Sequence, residues 1–182
     1  MSLDSTIEIE RTTQYLEFGI AFGSNLGNRL ANLSAAKQQL LSLCCCPDNA
    51  LFSPVFESSA VDCAPETRPF FNAVGALQFD SLPEDLLSNC LQIESKLGRP
   101  NVHENNSPRT IDLDLLYAGN KIHSNANLTI PHPRLKIRLF VVAPLALIRP
   151  DLRLPGEQLT INDHLKKLSA KQSPLRMVTQ HW

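Results

Sequence analysis

Residues 107–116, SPRTIDLDLL, place two aspartates in a stretch that otherwise reads as a buried β-strand. Ile111, Leu113, Leu115 and Leu116 are core residues by type; Asp112 and Asp114 are not. Side chains alternate faces along a strand. The two aspartates therefore share a face, with Cβ atoms roughly 6–7 Å apart, while Ile111, Leu113 and Leu115 point the other way into a core. Two carboxylates held that close repel, and one of them resists ionisation. A divalent cation between them removes the repulsion. Mg2+ takes oxygen ligands and commonly needs only one or two protein carboxylates, with substrate phosphates supplying the rest. The solvated face of an edge strand accounts for the alternation equally well, so the flanking Pro108-Arg109 and the rest of the chain must decide.

Composition narrows the field. A chain of 182 residues fits one domain with a proper core. A hydrophobic content of 43% and a net charge of −1 suit a soluble globular protein and give no basic excess for nucleic acid. No apolar run approaches the ~20 residues of a membrane helix, and no secretory signal opens the chain. The five cysteines include three in a row, Cys44, Cys45 and Cys46, with Cys63 and Cys90 apart. They lack zinc spacing and read as reduced thiols of a cytoplasmic protein. Residues 1–15 read as an N-terminal extension and 16–182 as a single domain.

The pattern along the chain is β-α-β-β-α-β. Residues 17–25, EFGIAFGSN, form a strand ending in a glycine turn, and Leu26, Leu30, Leu33 and Leu40 then recur at helical spacing. ALFSPVFESS is a short strand broken by Pro54, and RPFFNAVGALQF (68–79) a longer one. Ser81-Leu82-Pro83-Glu84 reads as a capping box with proline in the first turn. The helix it opens carries Leu86, Cys90, Ile93 and Leu97 on one stripe, with Gly98 at its C-terminus. A polar loop, 99–107, leads into the aspartate strand. Residues 127–148 read as a proline-punctuated loop and an apolar segment, and 160–170 as a late helix. This order suits an α+β fold, a ferredoxin-like antiparallel sheet with helices packed on it as an α-β-α sandwich.

Several side chains could carry chemistry. GSNLGN (23–28) reads as a plain turn, because it lacks the Lys-Ser/Thr of a phosphate-binding P-loop. Arg99, Arg109 and Arg138, with His132, look like an anion clamp around the aspartates, although a lone arginine is more often a solvated charge. Phe70 and Phe71 face opposite sides of a strand, so one covers the core and the other is free to cover a flat ring. Asn72 beside them can read the edge of a heterocycle or simply serve a turn. His132 has no second histidine at ligand spacing, which argues against zinc.

PRTIDLDLL (108–116) closely resembles the signature of the 6-hydroxymethyl-7,8-dihydropterin pyrophosphokinase family of folate biosynthesis. IAFGSNLGN, FFNAV, IESKLGR and IPHPRLKIRLFVVAPL resemble further family segments, in order, over roughly residues 16–150. The resemblance implies the ferredoxin-like sandwich and the transfer of diphosphate from ATP to the pterin hydroxymethyl group, leaving AMP. It implies that Asp112 and Asp114 hold two Mg2+ ions on the triphosphate, with Asp112 also available as acceptor of the hydroxyl proton. Arg99 and Arg109 match the catalytic arginines. Leu87, Glu94, Leu115, Thr129, His132 and Arg138 match the ATP side, and Ser58, Phe70, Asn72 and Phe140 the pterin side. ATP and a hydroxymethyl pterin are then the only partners expected of a monomer or weak dimer, with no nucleic acid and no membrane.

The departures lie in one loop. Asn101 stands where the family carries a second arginine, and Asn106 and Ser107 where it carries tryptophan and glycine. The one tryptophan of the chain is Trp182. Two other readings stay open at this point. One is a diverged homologue that binds nucleotide or pterin with little catalysis. The other is a two-metal phosphodiesterase or nuclease, which would need more carboxylates and histidines than the chain assembles.

Overall fold

Nine residues from Leu16 to Ser24 form β1, and every other long strand takes its place relative to it. The computed structural model describes residues 15–59, 68–99, 107–170, 172 and 174–182. β1 pairs antiparallel with β4 (Phe70–Phe79) on one side and β5 (Asp112–Ala118) on the other. β3 (Val55–Ser58) joins β4, and β2 (Leu51–Phe52) pairs with β4 further along. β8 (Arg176–Thr179) closes the order β5-β1-β4-β3-β8. β6 (His123–Ser124) and β7 (Thr129–Ile130) form a separate small hairpin.

Both faces of the sheet are covered. α1 (Arg29–Leu43) and α2 (Pro83–Lys96) lie on one face, where Leu33, Ala36, Leu40, Leu86, Cys90 and Ile93 pack against Phe18, Ile20, Leu113 and Leu115. α3 (Leu139–Ile148) and α4 (Ile161–Ser169) lie on the other, through Val142 and Leu145 against Val74, Leu116 and Tyr117. Each large side chain so buried contributes about 1.5–3 kcal/mol of transfer free energy, which is ample reason for the α-β-α sandwich. The antiparallel ferredoxin-like order agrees with the pattern expected from the sequence. No helix among the described residues is long and apolar enough to cross a membrane.

β5 contains a bulge. Leu115 pairs with Ile20 and Tyr117 with Gly19, so Leu116 is the extra residue. Leu115 therefore faces α1 and α2, while Leu116 and Tyr117 both face α3. Gly19 is required there, because a Cβ would stand 2.1 Å from the Tyr117 ring.

Two local expectations need correction. Ser81 does not cap α2. Leu82, held extended by the proline that follows it, takes the N-cap position, and its side chain cannot accept a hydrogen bond. Ser81 Oγ is left buried without a partner among the described residues. A true capping box, between Thr160 and Asp163, opens α4 instead. Leu26 belongs to the turn around Gly27 (φ 66°) and is 45% exposed, so the apolar stripe of α1 begins after it. The segment after residue 138, which reads from the sequence only as apolar, is a helix that contains Pro144, and β8 carried no strand expectation.

Candidate active site

The site lies at one end of the sheet, where small residues leave room. Asp114 pairs across the ladder with Ala21, and Asp112 with Gly23. Larger residues at 21 and 23 would fill the space in front of the carboxylates. β3 and β4 meet at the same end, with Ser58 opposite Phe70 and Phe56 opposite Asn72. The start of α3 brings in Phe140. One cleft is thus lined by Ser58, Phe70, Asn72, Phe140, Asp112 and Asp114, floored by Ala21 and Gly23. Asn72 Nδ2 donates to Ser58 Oγ (3.0 Å), so the two polar groups come as a pair. Phe71 points the other way and packs on the core, so Phe70 is the ring left for the cleft.

A second cavity lies along the outer side of β5. Leu87, Leu115, Thr129 and His132 line it, together with Asn125 and Leu128. Its rim is an Asx turn in which Asn125 Oδ1 accepts from the amides of Asn127 (2.9 Å) and Leu128 (2.8 Å). Asp114 borders both cavities. Glu94 does not line this one. It is 4% exposed beneath the aspartates, where it accepts from the Leu113 amide (2.6 Å) and pairs with Arg99 (2.6 Å).

The arginines converge on the aspartates. Arg99 Nη1 lies 2.6 Å from Asp112 Oδ1, Arg109 Nη1 3.2 Å from Asp112 Oδ2, and Arg138 Nη1 3.6 Å from Asp114 Oδ2. Local backbone structure holds each one. Arg99 follows Gly98 (φ 90°) in a Schellman turn, its amide donating to Glu94 O (3.0 Å) and that of Gly98 to Ser95 O (3.0 Å). Arg109 is gripped by Asn25, whose Oδ1 accepts the Arg109 amide (2.7 Å) and whose own amide donates to Arg109 O (3.2 Å). Arg138 caps α3 and stands 5.5 Å from the Phe140 ring centroid; Arg109 stands 5.6 Å from that of Phe70. Arg109 Nε is buried with no acceptor among the described residues.

The electrostatics match this crowding. Burial raises the Asp114 pKa, Asp112 adds to the rise, and His132, Arg138 and Arg109 oppose it. Burial also pushes Glu94 up to about 7, against the Leu113 amide and Arg99. His132 is lowered, first by burial, with Asp114 pulling the other way. Its Nδ1 accepts the Arg134 amide (3.1 Å), which leaves the ring proton of the neutral form on Nε2.

Two contributors escaped the sequence reading. Asn25 sits in a stretch that reads as a plain turn; its signal was a buried amide one residue after a strand. Arg134 also lines the first cleft, and its place two residues after His132 was the available clue. Asn101 and Asn106 lie outside the described residues; Ser107 is part-buried.

A family profile described as 7,8-dihydro-6-hydroxymethylpterin-pyrophosphokinase (HPPK) matches residues 19–150. The chain belongs to this family. The 2-amino-4-hydroxy-6-hydroxymethyldihydropteridine pyrophosphokinase of Synechocystis is 37% identical over 142 residues, covering 78% of this chain and 71% of that protein. A folic acid synthesis protein of Pneumocystis carinii is 36% identical over 82% of this chain but only 20% of its own length. The wild-type HPPK-DHPS structure of Plasmodium falciparum superposes with a TM-score of 0.62 at 12% identity, covering 87% of this chain and 45% of that one. The chain thus spans a fifth of one relative and under half of another.

Proposed function

We propose that the chain transfers diphosphate from ATP to the hydroxymethyl group of 6-hydroxymethyl-7,8-dihydropterin, releasing AMP, as a step of folate biosynthesis. One observation carries this reading: Asp114 borders both cavities, so a group bound in one is delivered to the carboxylates that face the other. Phe70 and Phe140 offer aromatic faces to a pterin ring, and Asn72 with Ser58 offers donors and acceptors to its edge. Leu87, Leu115 and Thr129 form the wall for the nucleotide, with His132 Nε2–H and Arg138 directed to its phosphates.

Mg2+ fits the donor set. Asp112 and Asp114 are two part-exposed carboxylates on one strand face; burial raises the Asp114 pKa first and the neighbouring Asp112 adds to the rise, a repulsion that a cation relieves. Among the described residues no third carboxylate, histidine or cysteine joins them, which leaves the remaining positions to phosphate oxygens and water. Two bound Mg2+ ions would neutralise charge on the β- and γ-phosphates and acidify the attacking hydroxyl.

The chain's own residues do the rest. The pterin hydroxyl oxygen attacks the β-phosphorus, the bond from that phosphorus to the α,β-bridging oxygen breaks, and AMP leaves with the electron pair. Asp112 accepts the hydroxyl proton. Arg99 and Arg109 place cationic charge beside the transferred group, which is most of what phosphoryl-type transfer asks of a protein. Residues 16–182 act as one unit, a monomer or weak dimer. Its unpaired cysteines, Cys44, Cys45, Cys46 and Cys90, suit the reducing cytoplasm.

An assay of AMP release with and without the pterin tests the reading. AMP should form only when ATP, Mg2+ and the pterin are all present. Release without pterin would make the site a hydrolase, and no release with it would make the chain a binder.

A further inference from the structure

The segment after residue 150 lies outside the family match, yet it supplies the outer strand next to the pterin cleft. β8 pairs with β3, placing Arg176 opposite Glu57, and β3 places Glu57 opposite Phe71 on its other side. Glu57 points away from the cleft, and its neighbour Ser58 points into it. Behind the cleft, Glu57 joins three elements. Arg29, first residue of α1, donates to Glu57 Oε1 (3.1 Å); Arg176 Nε donates to Oε2 (3.1 Å), and its Nη2 pairs with the same oxygen. Arg29 also donates to Pro69 O (2.7 Å), one residue before Phe70, and stacks 3.6 Å from the Phe71 ring centroid. The tail is anchored again at Trp182. Its ring packs edge-on against Phe22 and Phe52, its Nε1 donates to Ser53 O (2.8 Å), and its carbonyl accepts from Lys37 (2.7 Å). Phe22 itself lines the cleft.

We propose that Arg29, Glu57 and Arg176 are positioning residues for pterin binding: they fix the ends of β3 and β4 that carry Ser58, Phe70 and Asn72, so that Arg29 and Glu57, with a smaller contribution from the C-terminal strand, set pterin affinity without touching the ligand. The inference rests on the site reading above. The two prongs are unequal. The Arg29 and Glu57 side chains are 16% and 20% exposed, whereas Arg176 is 69% exposed, and exposed pairs contribute little because water screens them. Arg29 bonds both acceptors through Nη1 while its guanidinium plane covers the Phe71 ring, a combination that a compact ammonium on a flexible stem reproduces poorly. The expected signature is selective: the nucleotide side is built from α2, β5, the 125–133 loop and the start of α3, and among the described residues no side chain from these elements hydrogen-bonds to Arg29, Glu57 or Arg176.

The test is calorimetric titration of 6-hydroxymethylpterin in the presence of a non-hydrolysable ATP analogue and Mg2+, with the analogue alone titrated as control. Glu57→Gln and Arg29→Met should each weaken pterin binding about ten-fold, since small misplacements of binding groups are costly. Arg176→Met should weaken it about two-fold. The analogue alone should bind each variant as it binds the parent, which also reports that the variant is folded. Should Arg29→Met fail to fold, Arg29→Lys decides, because it keeps the charge and loses the planar guanidinium stacked on Phe71; about three-fold weaker pterin binding is expected. Unchanged pterin affinity in the folded Glu57 and Arg29 variants, or equal loss of pterin and analogue, overturns the proposal. A parent protein that takes up no pterin overturns the site reading, and this inference with it.

Discussion

Asp112 and Leu113 are neighbours in the chain and occupy opposite environments. Leu113 is 4% exposed between α1, α2 and the sheet, and its amide is held by Glu94. The Asp112 side chain is 24% exposed, shared between two arginines and aimed into a cleft. One face of β5 is organised for packing. The other half-buries two like charges side by side at a cost to the fold: burial first, and Asp112 second, raise the Asp114 pKa. Stability and chemistry are thus separated by a single peptide step, and mutations on the two faces should have opposite signatures.

The largest expected effect is on the acidic face. Asp112→Asn and Asp114→Asn should each lower kcat/KM by roughly a thousand-fold, about 4 kcal/mol of transition-state stabilisation, as expected for loss of a metal ligand and a preorganised charge. Asp114→Asn should not destabilise the protein. The folded pKa of Asp114 is raised, so the folded state keeps a proton that the unfolded chain gives up, and stability falls as pH rises through that window. Asparagine removes this penalty, and urea unfolding at pH 7 should give a midpoint at or above the parent's. A clearly lower midpoint would break the separation of the two faces.

Next comes the apolar face. Leu113→Ala should cost about 3 kcal/mol of stability, in the usual range for a buried leucine truncation. In chemical unfolding the midpoint falls with little change of slope, and the folded fraction should retain kcat within a few-fold. A loss of turnover as large as that of the aspartate variants would mean that packing and site geometry are not separable here.

The smallest effect sharpens the boundary between the faces. Glu94 is buried beneath Arg99 with its pKa pushed up to about 7, chiefly by burial. Below that pH it takes a proton and releases its hold on Arg99. The profile of kcat/KM against pH should therefore fall on the acid side with a midpoint near 7, and Glu94→Gln should flatten that limb at a cost of about ten-fold or less. The stability sign is opposite to that of an ordinary ion-paired carboxylate. Between the unfolded carboxylate pKa and about 7, folded Glu94 holds a proton that the unfolded chain lacks, so stability declines as pH rises. Glu94→Gln should make thermal unfolding less pH-dependent over that window.

Much of the architecture was legible along the chain because it depends on local periodicity. The two-residue alternation of 111–115 set the two faces of β5, the stripe of Leu86, Cys90 and Ile93 set the buried side of α2, and Gly98 set the turn that aims Arg99. The failures were also local but involved competition. Ser81 lost the N-cap because a proline fixed its neighbour as extended, and Leu26 fell off the apolar stripe because the turn at Gly27 precedes the first residue of α1.

What the sequence by itself determined was the family and the α+β pattern, the shared face of Asp112 and Asp114, and the residue types suited to an anion and a flat ring. Only the tertiary structure decided that β1, β3, β4, β5 and α3 bring those residues around one cleft, that Asp114 stands between two cavities, and that Glu94 supports Arg99 from below. It alone decided that a C-terminal strand over a hundred residues away completes the sheet behind Ser58. The physical reason is range. Alternation, capping and turn preference act within a few residues of the backbone, whereas a cleft is the space left when distant elements bury their apolar faces against one another, and no local pattern encodes which elements those will be.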